Sequence, residues 1–274
     1  MHPQKEALVR LLADDDEQTV RLVKERLAQA DSIPLDDLRD LAECDNPAAA
    51  LHAGDVLHEV MQKAALDQFE RLCLTFNDKS DLEDSCWLLA SALLRGLDAA
   101  PYRQRLDAWG VELERRLRRS AGDADTVAIM SDFIAGELTF TGNTDDYYNE
   151  RNSLLSCVLD SRKGIPISLA QVYMFLGRRA GVAIDGVSLP GHFLARHGTV
   201  LFDPFHGGRV MTRRDCEEIL RRQNKRLEDW HLAAADSRQI LMRTLANLLY
   251  IFHRQENSAL YARIKHWSHL LCRA

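Results

Sequence analysis

The 274-residue chain lacks three things that would have narrowed its class at once: a CxxC pair, an apolar run near the ~20 residues that cross a bilayer, and an excess of basic over acidic residues. Its six cysteines (Cys44, Cys73, Cys86, Cys157, Cys216, Cys272) are scattered, which excludes a zinc knuckle and a compact disulfide framework and reads as reduced, mostly buried thiols. Without a long apolar segment no membrane partner is expected. The first residues, Met1-His2-Pro3-Gln4-Lys5-Glu6, lack the apolar stretch of a secretory signal, so the expected compartment is cytoplasmic. A formal charge of −6 argues against a general nucleic-acid binder. No Walker loop, GxGxxG or HExxH is present, which removes nucleotide and zincin chemistry; no metal and no cofactor is expected.

What is there is a globular balance, 46% apolar and 28% charged. The charge is uneven. Residues 160–226 hold 12 Lys/Arg against 6 Asp/Glu, and Arg213, Arg214, Arg221, Arg222, Lys225 and Arg226 read as the solvated face of one helix. Residues 4–135 carry helical periodicity throughout. Leu8, Leu11 and Leu12 pattern a first helix, and Asp14-Asp15-Asp16-Glu17 caps a second with Val20, Val23 and Leu27, a pairing like a HEAT hairpin. Asn46-Pro47 opens a long helix with Val56, Val60, Leu66, Phe69 and Leu72 on one face, and further helices are expected near 81–97, 101–119 and 124–135.

Between Thr139 and Gly208 the texture changes. Pro166–Ala180 predicts one strongly apolar helix closed by Gly181, and 183–189, 193–196 and 200–202 predict a small antiparallel meander, which together make an α+β core. A basic helix is expected near 213–227. Helices near 237–253 and 257–272 then form a hairpin resembling a single tetratricopeptide repeat, which must dock on the core to bury its faces. The expected domains are a helical region 1–135, a core 136–212 and a helical region 213–274.

Three segments carry chemistry: Gly142-Asn143 with the polar stretch Asp145–Ser153; Arg162-Lys163-Gly164-Ile165-Pro166-Ile167-Ser168-Leu169-Ala170; and Pro190-Gly191-His192-Phe193-Leu194 leading to Leu201-Phe202-Asp203-Pro204-Phe205. In combination they resemble the transglutaminase-like "core 2" family of bacteria, the SirB-type or transglutaminase-like/TPR-repeat proteins, closely over about 135–210 and more loosely in the C-terminal hairpin. The resemblance implies a papain-type core. In catalytic relatives a cysteine heads the buried helix, a histidine starts a strand and an aspartate lies on the next, so that the helix dipole and the imidazole activate the thiol. Here Gly164 and Gly181 span the 17 residues of that helix, and His192 and Asp203 fall at the histidine and aspartate positions. The same count puts Pro166 where the nucleophile belongs. Proline has neither a nucleophile nor an N–H, so thiol-protease or transglutaminase chemistry is not expected.

No neighbouring residue replaces the missing thiol. Ser168 lies about 200° around the helix and reads as bonded to a backbone carbonyl, and Cys157 reads as a buried inert thiol. His192 and Asp203 read equally as a structural pair or as part of a ligand site, with Asn143, Tyr147, Asn152 and Gly191 as candidate cleft lining. His266, His269 and Cys272 share a helix face but read as an exposed stripe rather than a metal site. Three readings stay open: a non-catalytic protein binding a peptide or protein partner in a remnant cleft; a hydrolase or amide-transfer enzyme using His192 and Asp203 with an unconventional nucleophile or activated water; and a scaffold without a functional cleft. The sequence leaves the oligomeric state undetermined.

Overall fold

The structure, a computed structural model, describes residues 3–29 and 33–274. It divides into two compact units, Met1–Phe69 with Ser91–Leu97, and Glu70–Ala90 with Asp98–Ala274. In the first, α1 (Pro3–Leu12), α2 (Glu17–Leu27), α3 (Leu35–Ala42) and the first part of α4 (Pro47–Thr75) bury Leu12, Leu27, Leu38, Leu41, Ala53 and Val56 together. The helix starts are the expected ones. Asp16 accepts from the amides of Gln18 and Thr19, and the Asn46 side chain accepts from the Ala49 amide at 3.0 Å ahead of Pro47.

The second unit centres on α9 (Pro166–Arg179), which is buried along nearly its whole length. Pro166 takes the first helical position, where its missing N–H has no intrahelical partner to lose. Ser168 Oγ accepts from the Ile165 amide at 3.0 Å. The far end closes as a Schellman motif: the Gly181 amide donates to Arg178 O at 3.3 Å and the Val182 amide to Gly177 O at 2.8 Å. Before α9 come α5 (Leu82–Leu93), α6 (Ala100–Leu117) and α7 (Asp123–Ser131), which runs into a π-helical turn at Asp132–Glu137, and then α8 (Leu155–Ser161).

A four-stranded antiparallel meander lies beside α9: β3 (Asp185–Val187), β4 (Leu194–His197), β5 (Val200–Asp203) and β6 (Arg209–Met211). Cross-strand partners share a face. Ala195 and Phe202 face α9, where the Phe202 ring lies 5.3 Å from that of Tyr173. Val187, Leu194 and Met211 on the other face pack with Cys216 and Leu220 of α10 (Arg213–Arg221). A second, parallel pair joins β1 (Thr141–Gly142) to β2 (Lys163–Gly164), with Gly142 opposite Gly164, two residues before α9. The expected meander is present. Strand β6 and the β1–β2 pair are additions to it.

Two elements are shorter than their patterns suggest: α5, expected to reach about 97, ends at Leu93 with Gly96 left-handed at φ 70° just beyond it. The basic helix expected to reach 227 ends at Arg221, because the Leu220 carbonyl takes both the Gln223 and Lys225 amides and Asn224 turns left-handed at φ 57°. Its basic side chains are exposed, and Arg213 reaches Asp229 at 2.8 Å. The chain ends in α11 (Ser237–Arg254) and α12 (Ser258–Arg273), an antiparallel hairpin whose Thr244 meets Gln171 of α9 at 3.3 Å between buried side chains. No described helix is long and apolar enough to cross a membrane.

The C-terminal end of α9 carries the main buried ionic contact. Glu83, fully buried in the first turn of α5, accepts a bidentate pair from Arg179 at 2.6 and 2.9 Å, a bond from Arg178 at 2.5 Å and the Trp87 indole N–H at 3.1 Å. Burial pushes its carboxyl up, but the bonds from Arg179 and Trp87 and the charges of both arginines outweigh that and hold it below the usual carboxylate value.

Candidate functional site

His192 is placed by a tight turn. Its amide donates to Leu189 O at 3.0 Å, which closes Leu189-Pro190-Gly191-His192 with proline second and glycine third. Gly191 has φ +75°, and a Cβ there would lie 1.9 Å from Gln223 Nε2, the group that holds Pro190 O at 3.0 Å. Gly191 is exposed at the turn and aims its neighbour His192.

Asp203 ends β5 and caps a single 3₁₀ turn, Pro204–His206, with Pro204 at the first position. Side chains three apart eclipse in a 3₁₀ turn, which brings His206 over Asp203. Asp203 Oδ1 accepts from the Phe205 amide at 3.0 Å, so Oδ2 is the oxygen turned toward the imidazoles. It lies 2.8 Å from His192 Nε2 and 2.7 Å from His206 Nδ1. Asp203 is 3% exposed, His192 half-buried and His206 well exposed. Burial raises the Asp203 carboxyl, but the bonds and charges of the two imidazoles more than offset it and leave the group below its ordinary value. His192 Nε2, Asp203 Oδ2 and His206 Nδ1 all lie within 4.8 Å of one another, the one such group of three among the described residues. His206 escaped the sequence reading. Its signal was Asp-Pro-Phe-His-Gly-Gly, a capped one-turn helix that sets residues i and i+3 side by side.

The site reaches the head of α9 through Phe205. A Cβ on Gly142 would stand 2.6 Å from the Phe205 ring, so the ring rests on the β1–β2 pair that leads into Pro166. From there an aromatic ladder runs outward. The His192 and Phe205 rings are 6.3 Å apart, Phe205 and Tyr147 6.0 Å, Tyr147 and Tyr148 5.2 Å, and Tyr148 and Tyr250 5.3 Å, with the Arg254 guanidinium 4.4 Å over Tyr148. Tyr147, Tyr148 and Tyr250 are all exposed. Of this ladder the sequence singles out His192 and Tyr147, and Phe205 and Tyr148 lie within its chemistry-bearing segments; Tyr250 and Arg254 come from the separate helix α11.

The other candidates organise the loop. Asn152, 4% exposed, donates to the carbonyls of Asp146 at 2.6 Å and Tyr147 at 3.2 Å and accepts from Asn143 Nδ2 at 2.9 Å. Asn143 in turn accepts from the Asp146 amide at 3.1 Å. Ser168 Oγ donates to Asn152 O at 2.6 Å, deep inside, as a structural hydroxyl does. The thiols of Cys73, Cys86, Cys157 and Cys216 are all pushed up by burial, Cys73 to about 12, the opposite of an activated nucleophile. His266 faces Glu70 at 3.5 Å, and the stripe with His269 and Cys272 forms no three-ligand group.

No solved structure matches the chain. A "UPF0162 protein" of Xylella fastidiosa (strain Temecula1) is 32% identical over 206 residues, 70% of this chain and 72% of its own. A protein of the same name from Pseudomonas aeruginosa is 33% identical over 64% of this chain and 66% of its own. Human "F-box only protein 21" is 32% identical over 143 residues, 46% of this chain and 22% of its own length. The profile of the transglutaminase-like superfamily matches residues 100–246, from α6 into α11 and more than half of the chain, and the chain belongs to that superfamily.

Proposed function

We propose that the transglutaminase-like core binds a peptide or protein partner along the cleft around His192 and Asp203 and performs no thiol chemistry. The observation that carries this reading is the exposed ladder from His192 through Phe205, Tyr147 and Tyr148 to Tyr250, with Arg254 stacked on it. Tyrosine and arginine are the side chains that dominate protein recognition, since each offers a large rigid or planar surface with a polar end. Proline at the head of α9, which offers no nucleophile at that position, supports the part of this reading that excludes thiol chemistry. The human relative carries the matched stretch in about a fifth of its length, as a module used in a longer chain would be.

Peptide display on the purified protein tests this. Selected peptides are expected to bind with a Kd weakened at least 10-fold by Tyr148→Ala and by His192→Ala. Peptides that bind both variants as well as the parent protein would move the binding surface elsewhere. Thiol-dependent turnover of a glutamine donor would overturn the reading altogether.

A further inference from the structure

We propose that His192, Asp203 and His206 form a binding site for a divalent transition-metal ion. The proposal goes beyond partner binding and stands on separate geometry. Two imidazole nitrogens and one carboxylate oxygen converge within 4.8 Å, a nitrogen-rich donor set of the kind that suits zinc, cobalt, iron or nickel rather than calcium or magnesium.

The three atoms stand close to where an ion needs them. Ligands at about 2.0–2.1 Å in tetrahedral directions lie about 3.3 Å from each other. The present separations of His192 Nε2 and His206 Nδ1 from Asp203 Oδ2, 2.8 and 2.7 Å, open to that value by a shift of about half an ångström. The parts differ in how freely they can move. Asp203 is fixed, because the Phe205 amide holds Oδ1 and leaves Oδ2 as a single-atom ligand, with the outer partner that ligating carboxylates usually have. His192 is set by its turn. His206 is 60% exposed at its side chain and among the described residues meets only Asp203 and the rings of His192 and Phe205, so it can swing onto the ion. Neutral imidazoles bind through the same nitrogens that now face the carboxylate, with each proton moved to the other ring nitrogen.

Three protein ligands leave at least one coordination position open, as in sites that present a metal to a ligand rather than in closed structural ones. The open side is the solvent side, where His206 is exposed and the aromatic ladder begins. A carboxylate, carbonyl or water is the class of group that would complete the shell.

Titration of tag-free protein with Zn²⁺ by calorimetry, and with Co²⁺ by visible absorption, tests the site. One ion per chain is expected, with ligand-field bands for Co²⁺. His206→Ala, a change at an exposed side chain that leaves the fold intact, should weaken binding at least by the roughly 10–100-fold that loss of a mere outer partner costs. His192→Ala should do the same, while His266→Ala should leave binding unchanged. Absence of saturable binding at one ion per chain overturns the proposal, as does an affinity that survives His206→Ala and His192→Ala together. A metal site that fails this test leaves the peptide selections on Tyr148→Ala untouched.

Discussion

Proline at the head of α9 and the imidazole of His192 define what one residue decides in this molecule. Asp203 holds His192 through Nε2, which leaves Nδ1 as the nitrogen that would meet a thiol. Pro166→Cys is therefore expected to give a thiol more acidic than the roughly 8.5 of a free cysteine, since the helix N-terminus and a neighbouring imidazolium both favour thiolate. The substitution should cost only about 0.4–1 kcal/mol, through the looser unfolded chain. Alkylation rate against pH, for Pro166→Cys with and without His192→Ala, measures it. The double variant should titrate higher, and an engineered thiol that behaves like free cysteine in both would mean the cleft has lost its catalytic spacing. Pro166, His192 and Asp203 were legible in the sequence through its resemblance to the core-2 family, the 17-residue span from Gly164 to Gly181 picking out Pro166 and the motifs around His192 and Asp203 the other two. His206 was not, because nothing in a linear string says that a loop will wind into a single 3₁₀ turn.

At the scale of elements, local chemistry was the reliable guide. Helix α4 begins where Asn46-Pro47 put it, and α9, α11 and α12 begin and end within about a residue or two of expectation, because signals such as Asn46-Pro47, Pro166 and Gly181 act over one turn. The pieces that escaped, β1, β2, β6 and the π-turn at Asp132–Glu137, are two to six residues long, too short to show a period, and exist through partners supplied by the rest of the chain. Ser168 is the joint between a legible element and an illegible one. Its hydroxyl satisfies the Ile165 amide ahead of α9 and reaches Asn152 O in the polar loop. Ser168→Ala leaves a buried N–H and a buried C=O short of a partner, and is expected to lose about 1–3 kcal/mol in urea unfolding with an unchanged m-value. Full stability in that variant would show that the loop is held by other contacts.

For the larger unit as a whole, acid sensitivity should trace to Glu83. Its carboxyl titrates lower folded than unfolded, so the unfolded chain binds more protons and the ionised pair stabilises the fold at all pH values above the unfolded pKa near 4.5. That stability is lost as pH falls below about 4.5, through the lower folded value. Glu83→Gln should lose about 1–3 kcal/mol near neutrality, because Arg178 and Arg179 then lose their shared buried partner and keep only Asp81 and Asp107, and should flatten the melting temperature's fall below about pH 4.5. Thermal melts across that range check both. An unchanged acid slope would place the sensitivity in other carboxylates. Helix content and apolar faces were readable throughout this unit, yet the partner of Arg179 was not, since Glu83 stands 96 positions away and only the fold brings them together. That distance matters for dissection. A fragment trimmed to the superfamily match at residues 100–246 keeps Arg178, Arg179 and Asp107 but discards Asp81 and Glu83, two of the three acids these arginines bind, and Trp87 with them. The smallest autonomous piece built on this core therefore starts upstream of Asp81, and expression boundaries drawn from sequence similarity alone would cut away the clasp that closes it.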